Sequence, residues 1–228
     1  MAVLTLTDYL EKKHRAGSSH RETCYVCHRA ASVCLCEMIR PFYSRTRFII
    51  LMHPKEANKE GSGTGRLCHL ALQNSSLLIG DDFSDDQRVN DLIADPDFRS
   101  VLLFPSPGAI DLSHEGYQAL GHSPANPLQI FVVDGTWRLA GKILRLSENL
   151  RALPAVKFSP RHASKFRVKK QPREECLSTL ESIHFLLELG LEQGFETLDG
   201  EIGQLPDIFD QLVAFQMQSA AVSTRARA

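Results

Sequence analysis

The sequence predicts an α/β fold, a parallel sheet covered by helices on both faces, preceded by a small cysteine-rich module. Three observations carry this. Five short apolar runs recur along the chain without strict alternation, as strands buried on both faces do. Segments of helical period lie between them. Four of the six cysteines fall between Cys24 and Cys36, a density that points to a bound metal rather than to a core.

Residues 1–22 are polar and rich in His, Lys and Arg, and read as a short helix from Leu6 to His14 followed by a Gly-Ser linker. Residues 23–40 form the cysteine-rich segment. Arg47-Phe48-Ile49-Ile50-Leu51-Met52, ended by His53-Pro54, reads as the first strand. A helix is expected from Thr64 to Gln73, with Leu67, Leu70 and Ala71 on one face. Ser76 to Ile79 is the second strand. Arg99 to Phe104 is the third, stopped by Pro105-Ser106-Pro107-Gly108, and Leu128 to Val133 is the fourth, stopped by Asp134-Gly135. A helix from Trp137 to Glu148 precedes the fifth strand, Ala155-Val156-Lys157-Phe158. Ser178 to Leu189 and Ile208 to Met217 complete the helices. The chain divides into residues 1–40, a helix with a metal module, and residues 41–228, the α/β domain. Ligands of open α/β sheets bind in the loops at the carboxyl ends of the strands. The loops His53 to Glu56, Phe104 to Gly108 and Asp134 to Trp137 are therefore expected to line the site.

Composition narrows the partners. A chain of 228 residues with 43% hydrophobic and 23% charged residues has enough apolar mass for one main core. Its net charge of -1 excludes a uniformly basic surface, so a nucleic acid would have to be met by a local patch. The stretch from Lys157 to Arg173 provides one, with Arg161, Lys165, Arg167, Lys169 and Lys170 and no acidic residue. Lys12, Lys13, Arg15 and Arg21 form a second. No apolar run approaches the roughly 18 residues of a membrane span, and Met1 to Tyr9 lacks the basic-then-apolar pattern of a secretory signal. A cytoplasmic protein is expected, with its cysteines reduced.

Cys24-x-x-Cys27 and Cys34-x-Cys36 give two close thiol pairs, each able to chelate from a tight turn, and fit a four-thiolate zinc site. A redox Cys-x-x-Cys is the rival and leaves Cys34 and Cys36 unexplained. His28 adjoins the second ligand and could replace one. With four protein ligands the zinc would be structural. Cys68 and Cys176 read as core residues.

Asp134-Gly135-Thr136-Trp137, directly after the apolar strand Ile130-Phe131-Val132-Val133, resembles the signature of the DTW-domain family. Further marks stand in the family's order: the cysteine cluster, His53-Pro54-Lys55-Glu56, Thr64-Gly65-Arg66-Leu67, Leu103-Phe104-Pro105-Ser106-Pro107 and Leu177-Ser178-Thr179-Leu180-Glu181. The resemblance covers residues 22–190. It departs at Gly63, where the family usually has Asn, and at Lys169-Lys170, where Arg-Lys is frequent.

The resemblance implies a SPOUT-like fold, a parallel sheet with a knotted C-terminal ligand site. It implies S-adenosylmethionine as donor and tRNA as acceptor, with the 3-amino-3-carboxypropyl group moved to N3 of a uridine in the variable loop. Asp134 would then take the N3 proton or orient the base, and Trp137 would stack on adenine or uracil. Thr64, Leu103, Pro105, Ser106, Thr136, Ser178, Thr179 and Glu181 would hold the donor. Arg161, Lys165, Arg167, Lys169, Lys170 and Arg173 would meet RNA phosphates. Leu51 and Leu103 would wall off the donor's methyl. Each role has a plainer alternative: Asp134 as an N-cap, Trp137 as core filling, Ser178 and Glu181 as a capping box, and the basic run as a solvated loop. An RNA methyltransferase using the same donor and a non-catalytic zinc-ribbon RNA-binding protein are the rival functions.

Overall fold

A computed structural model of the chain describes residues 22–58, 63–121, 126–166 and 176–225, together with the short strand at Leu4–Thr5. The strands are β1 (Leu4–Thr5), β2 (Arg47–Met52), β3 (Ser75–Ile79), β4 (Arg99–Leu103), β5 (Ile110–Asp111), β6 (Leu128–Asp134) and β7 (Ala155–Lys157). The helices are α1 (Pro54–Ala57), α2 (Thr64–Ala71), α3 (Gln87–Ala94), α4 (Trp137–Leu146), α5 (Glu148–Arg151), α6 (Thr179–Glu192) and α7 (Gln204–Arg225).

The strand order is β1-β3-β2-β6-β4-β7-β5. Six strands run parallel, and β1 adds an antiparallel edge. The parallel sheet is the predicted one. The antiparallel edge, the two-residue β5 and the helix α3 were not. α3 offers Val89, Leu92, Ile93 and Ala94 as apolar residues, and its start is fixed by the Asp86 side chain accepting from the Val89 N–H at 3.1 Å. The expected helix from Leu6 to His14 lies outside the described residues.

The pleat sorts the strand residues onto two faces. Phe48, Ile50, Met52, Leu77, Ile79, Val101, Ile130 and Val132 pack under α2, α6 and α7, with Leu67, Leu180, Ile183, Leu186, Ile208 and Leu212. Ile49, Leu51, Leu78, Leu102 and Phe131 pack on the other face, with Val89 of α3, Ile143 and Leu144 of α4 and Leu150 of α5. Coverage of both faces explains why the strands read as unbroken apolar runs. Cys27, Leu35, Ile39 and Phe42 join the first cluster, so the cysteine-rich segment is packed into the main core.

β2 and β6 are adjacent central strands in register, Met52 opposite Asp134. Asp134 therefore closes the central strand on the face of α2, α6 and α7, in phase with Ile130 and Val132. Leu51 points to the opposite face, where it is fully buried with Phe131 and Ile143. The expectation that Leu51 walls a site beside Asp134 is corrected by this pleat. Met52, fully buried, stands beside Asp134 instead, and half-buried Leu103 lies on the same face.

Candidate active site and metal centre

Asp134 is buried, 8% exposed, at the carboxyl end of β6. It does not cap α4. That cap is Thr136, whose Oγ1 accepts from the Leu139 N–H at 3.4 Å. Asp134 instead meets two other helix starts. The Thr179 hydroxyl, at the first residue of α6, donates to its Oδ1 at 2.6 Å. On the other side lies Gly65, the second residue of α2, where a Cβ would stand 2.7 Å from Oδ2 and 2.9 Å from Cγ. One turn further along α2, burial and then the charge of Asp134 push the Cys68 thiol well up, so Cys68 stays neutral. The carboxylate is thus set between the positive ends of α2 and α6, which favour negative charge.

The neighbouring strand ends bring the other expected residues. His53 follows β2 and is 4% exposed. Its Nδ1 accepts from the Lys55 N–H at 3.0 Å, capping α1. Desolvation first, then Lys142, lowers its pKa, so the ring is neutral and carries its proton on Nε2. That Nε2 is buried without a hydrogen-bond partner among the described residues, a donor available to a ligand acceptor. Beside it, Lys142 of α4 donates to Asp81, at the end of β3, at 2.6 Å. Glu56 and Arg66 are both buried, and Arg66 reaches the Ala57 carbonyl at 3.3 Å.

After β4, Ser106 N–H donates to the Phe104 carbonyl at 2.9 Å and the Ser106 carbonyl accepts from Ala109 at 3.1 Å, so Pro105 and Ser106 sit on a tight turn. Trp137 is 41% exposed and tilts against Phe104, centroids 6.0 Å apart. It does not fill the core; the two rings form an aromatic ledge at the strand ends.

At the start of α6 the capping box is complete. Ser178 Oγ accepts from Glu181 N–H, and Glu181 Oε2 accepts from Ser178 N–H at 2.8 Å. Glu181 also accepts from the Ser164 hydroxyl at 2.7 Å and from Lys165 N–H at 2.9 Å. It therefore moors the segment after β7. Arg161 pairs with Glu192, Nη1 to Oε1 at 2.6 Å, and Lys165 with Asp210 at 3.0 Å. Of the expected RNA-facing residues, Arg167, Lys169, Lys170 and Arg173 lie outside the described residues.

The cysteine cluster assembles. Cys24 and Cys36 Sγ are 3.7 Å apart, as are Cys27 and Cys34, and all four sulfurs lie within 4.8 Å of one another. Thiolates on a tetrahedral zinc, with bonds of about 2.3 Å, stand about 3.8 Å apart, so the residues fit a metal ion. The turn is tight: Cys24 N–H donates to the Arg29 carbonyl at 2.8 Å, and His28 adopts a positive φ of 59°. His28 is outside the ligand group. Cys68 and Cys176 are buried, as expected.

Sequence reading did not find Gly65 as a contact of Asp134, nor His53 as an orphaned donor. Both lie in motifs it singled out, Thr64-Gly65-Arg66 and His53-Pro54. Their roles depend on residues from distant strands.

The fold and site define an α/β protein with a cluster of buried polar residues at the carboxyl ends of its parallel strands and a four-cysteine group packed against its core. A profile of the DTW domain matches residues 21–217, and the chain belongs to the DTW-domain family. Its relatives include tRNA-uridine aminocarboxypropyltransferase 2 of Mus musculus, 29% identical over 167 residues, or 72% of this chain and 55% of that protein. The Drosophila melanogaster protein of the same name is 31% identical over 170 residues, 72% of this chain and 64% of the relative. tRNA-uridine aminocarboxypropyltransferase A of Arabidopsis thaliana is 25% identical over 202 residues, 79% of this chain and 75% of the relative. The chain spans about half the length of the mammalian relatives it matches. No solved structure matches it. No helix among the described residues is long and apolar enough to cross a membrane.

Proposed function

We propose that this chain transfers the 3-amino-3-carboxypropyl group of S-adenosylmethionine to N3 of a tRNA uridine, in the variable loop, in the cytoplasm. The observation that carries the reading is Asp134, a buried carboxylate of the family's signature. It is set at the end of the central strand between two helix starts, with the exposed Trp137 three residues further along the chain. The names of the relatives support the transferred group and the tRNA uridine acceptor.

In this reading the uridine N3 attacks the carbon that joins the amino-acid arm to sulfur. The carbon–sulfur bond breaks, its electron pair stays on sulfur, and methylthioadenosine leaves. Asp134 accepts the N3 proton or orients the base. Trp137 stacks on a base. Leu103, Pro105, Ser106, Thr64, Thr136 and Ser178 line the donor with Glu181, whose capping box orders the first turn of α6, and the main-chain N–H groups of Thr179 and Leu180 are offered to its carboxylate. His53 Nε2 supplies one further donor. Leu103 provides an apolar wall for the methyl. We further propose that the fold is SPOUT-like with a knotted C-terminal ligand site, supported by α6 returning from beyond β7 to contact the end of β6. Residues 41–228 would carry the chemistry. Within residues 1–40, Cys24, Cys27, Cys34 and Cys36 would hold one structural zinc that takes no part in the reaction.

The test is the by-product. Incubation with S-adenosylmethionine and tRNA is expected to release methylthioadenosine and to leave a uridine heavier by the aminocarboxypropyl group in nucleoside mass spectrometry. Tight tRNA binding that yields S-adenosylhomocysteine instead would establish methyl transfer, and binding without donor turnover would leave only an RNA-binding protein.

RNA is expected on the basic segment. Arg161 and Lys165 are already paired with Glu192 and Asp210, so Arg167, Lys169, Lys170 and Arg173 would carry most of the phosphate contact. Reversing Lys169 and Lys170 to Glu is expected to weaken tRNA binding about tenfold or more and to lower the slope of log affinity against log salt by about 1.5 to 2. Donor affinity should not change. An unchanged salt slope would mean that this patch is only solvated.

A further inference from the structure

We propose that Thr179 and Gly65 are positioning residues that fix the Asp134 carboxylate, Thr179 by holding one oxygen and Gly65 by making room for the other. The proposal rests on the reading of Asp134 as the acceptor-side group.

Two adjacent hydroxyls begin α6, and they are used differently. Ser178 caps the helix. Thr179 has no capping task, and its hydroxyl donates to Asp134 Oδ1 at 2.6 Å, a short bond to a charged acceptor across 45 residues of chain. Its side chain is therefore committed to Asp134 rather than to the donor.

Gly65 makes the complementary case. It lies in the first turn of α2 with no positive φ, so the backbone does not require glycine there. Glycine is also a poorer helix former than alanine. What requires it is space. A Cβ would stand 2.7 Å from Asp134 Oδ2, 2.9 Å from its Cγ and 3.0 Å from Ile50 Cγ2. Carbon atoms do not approach that closely, so any side chain at position 65 must displace the carboxylate. Ile50, on the neighbouring strand β2, crowds the same point, so a Cβ there would meet both strands beneath α2. The carboxylate is gripped from both sides, and its rotamer is set by two helices rather than by its own strand. A displacement of about 1 Å at a reacting group can cost on the order of a hundredfold in rate.

The experiment compares Thr179→Val, Thr179→Ser and Gly65→Ala with the wild type, alone and on an Asp134→Asn background. The readouts are the single-turnover rate of tRNA-dependent S-adenosylmethionine consumption at saturating donor, the donor dissociation constant, and thermal melting. Thr179→Val is expected to slow turnover by about 10- to 100-fold and to leave donor affinity within about twofold. Thr179→Ser, which keeps the hydroxyl, should recover most of that loss. On the Asp134→Asn background Thr179→Val should add less than about threefold, because residues acting as a unit are not additive. Gly65→Ala should slow turnover similarly. If it does not fold, the Thr179 series still decides. A Thr179→Val variant that loses donor affinity with an unchanged saturated rate makes Thr179 a donor contact and overturns the proposal, as do fully multiplicative losses with Asp134→Asn. The rate counts donor consumed whatever the product, so formation of S-adenosylhomocysteine would refute the reaction assignment while these ratios still judge the positioning. Absence of any tRNA-dependent turnover overturns both.

Discussion

Replacing Asp134 by Asn is expected to lower the single-turnover rate by about a hundredfold or more, with S-adenosylmethionine still bound. The substitution is nearly isosteric, and Asn caps helices about as well as Asp. An Asp134 that serves only as a hydrogen-bond acceptor would therefore tolerate it. The structure sharpens the comparison, because the cap of α4 belongs to Thr136 and not to Asp134. An amide oxygen can still accept from the Thr179 hydroxyl, so the hydrogen bond at 2.6 Å does not by itself predict a large loss. What Asn lacks is the negative charge, and with it the capacity to take a proton. Stopped reactions analysed for methylthioadenosine, alongside a donor titration, check this. A variant within threefold of wild type would remove Asp134 from the chemistry.

The second large effect is expected at the cysteine cluster. Purified protein should contain one zinc per chain, and Cys34→Ser should lose it. Much of the binding free energy of a structural zinc is folding free energy. Here Cys27, Leu35, Ile39 and Phe42 share the core that lies under α2, α6 and α7, so the loss should reach beyond the cysteine-rich segment. A destabilisation of about 3–5 kcal/mol, on the order of 10 °C in Tm for a domain of this size, is expected. A strong chelator should reproduce it in the wild type. Elemental analysis showing no zinc, or a Cys34→Ser protein that melts with the wild type, would remove the structural role. Below the melting transition, turnover per folded molecule should change much less than stability.

The local signals were legible. Five of the six parallel strands, all but the two-residue β5, are short apolar runs followed within three residues by Pro or Gly, and the capping box at Ser178 and Glu181 lies within four residues. The four thiols were legible for the same reason, since chelate spacing is a local property. α3 was not, although Val89, Leu92 and Ile93 stand at i, i+3 and i+4, because eight residues are shorter than the stretch over which a helical period becomes distinct. β1 was not either, because a two-residue edge is defined by its partner β3 rather than by its own sequence.

What the sequence by itself determined is therefore the parallel sheet, the strand-end loops and the four-cysteine cluster, since periodicity and spacing follow from short-range geometry. Only the tertiary structure decided the surroundings of Asp134, because they come from three segments: β6 itself, α2 at Gly65 and α6 at Thr179. It also decided which face each strand residue serves, placing Leu51 away from the carboxylate and Met52 beside it. The basic run shows the same division. No acid stands between Lys157 and Arg173 in the sequence, yet Glu192 and Asp210 neutralise Arg161 and Lys165 from 31 and 45 residues away. Charge compensation depends on distance in space, and a linear sequence does not record that distance.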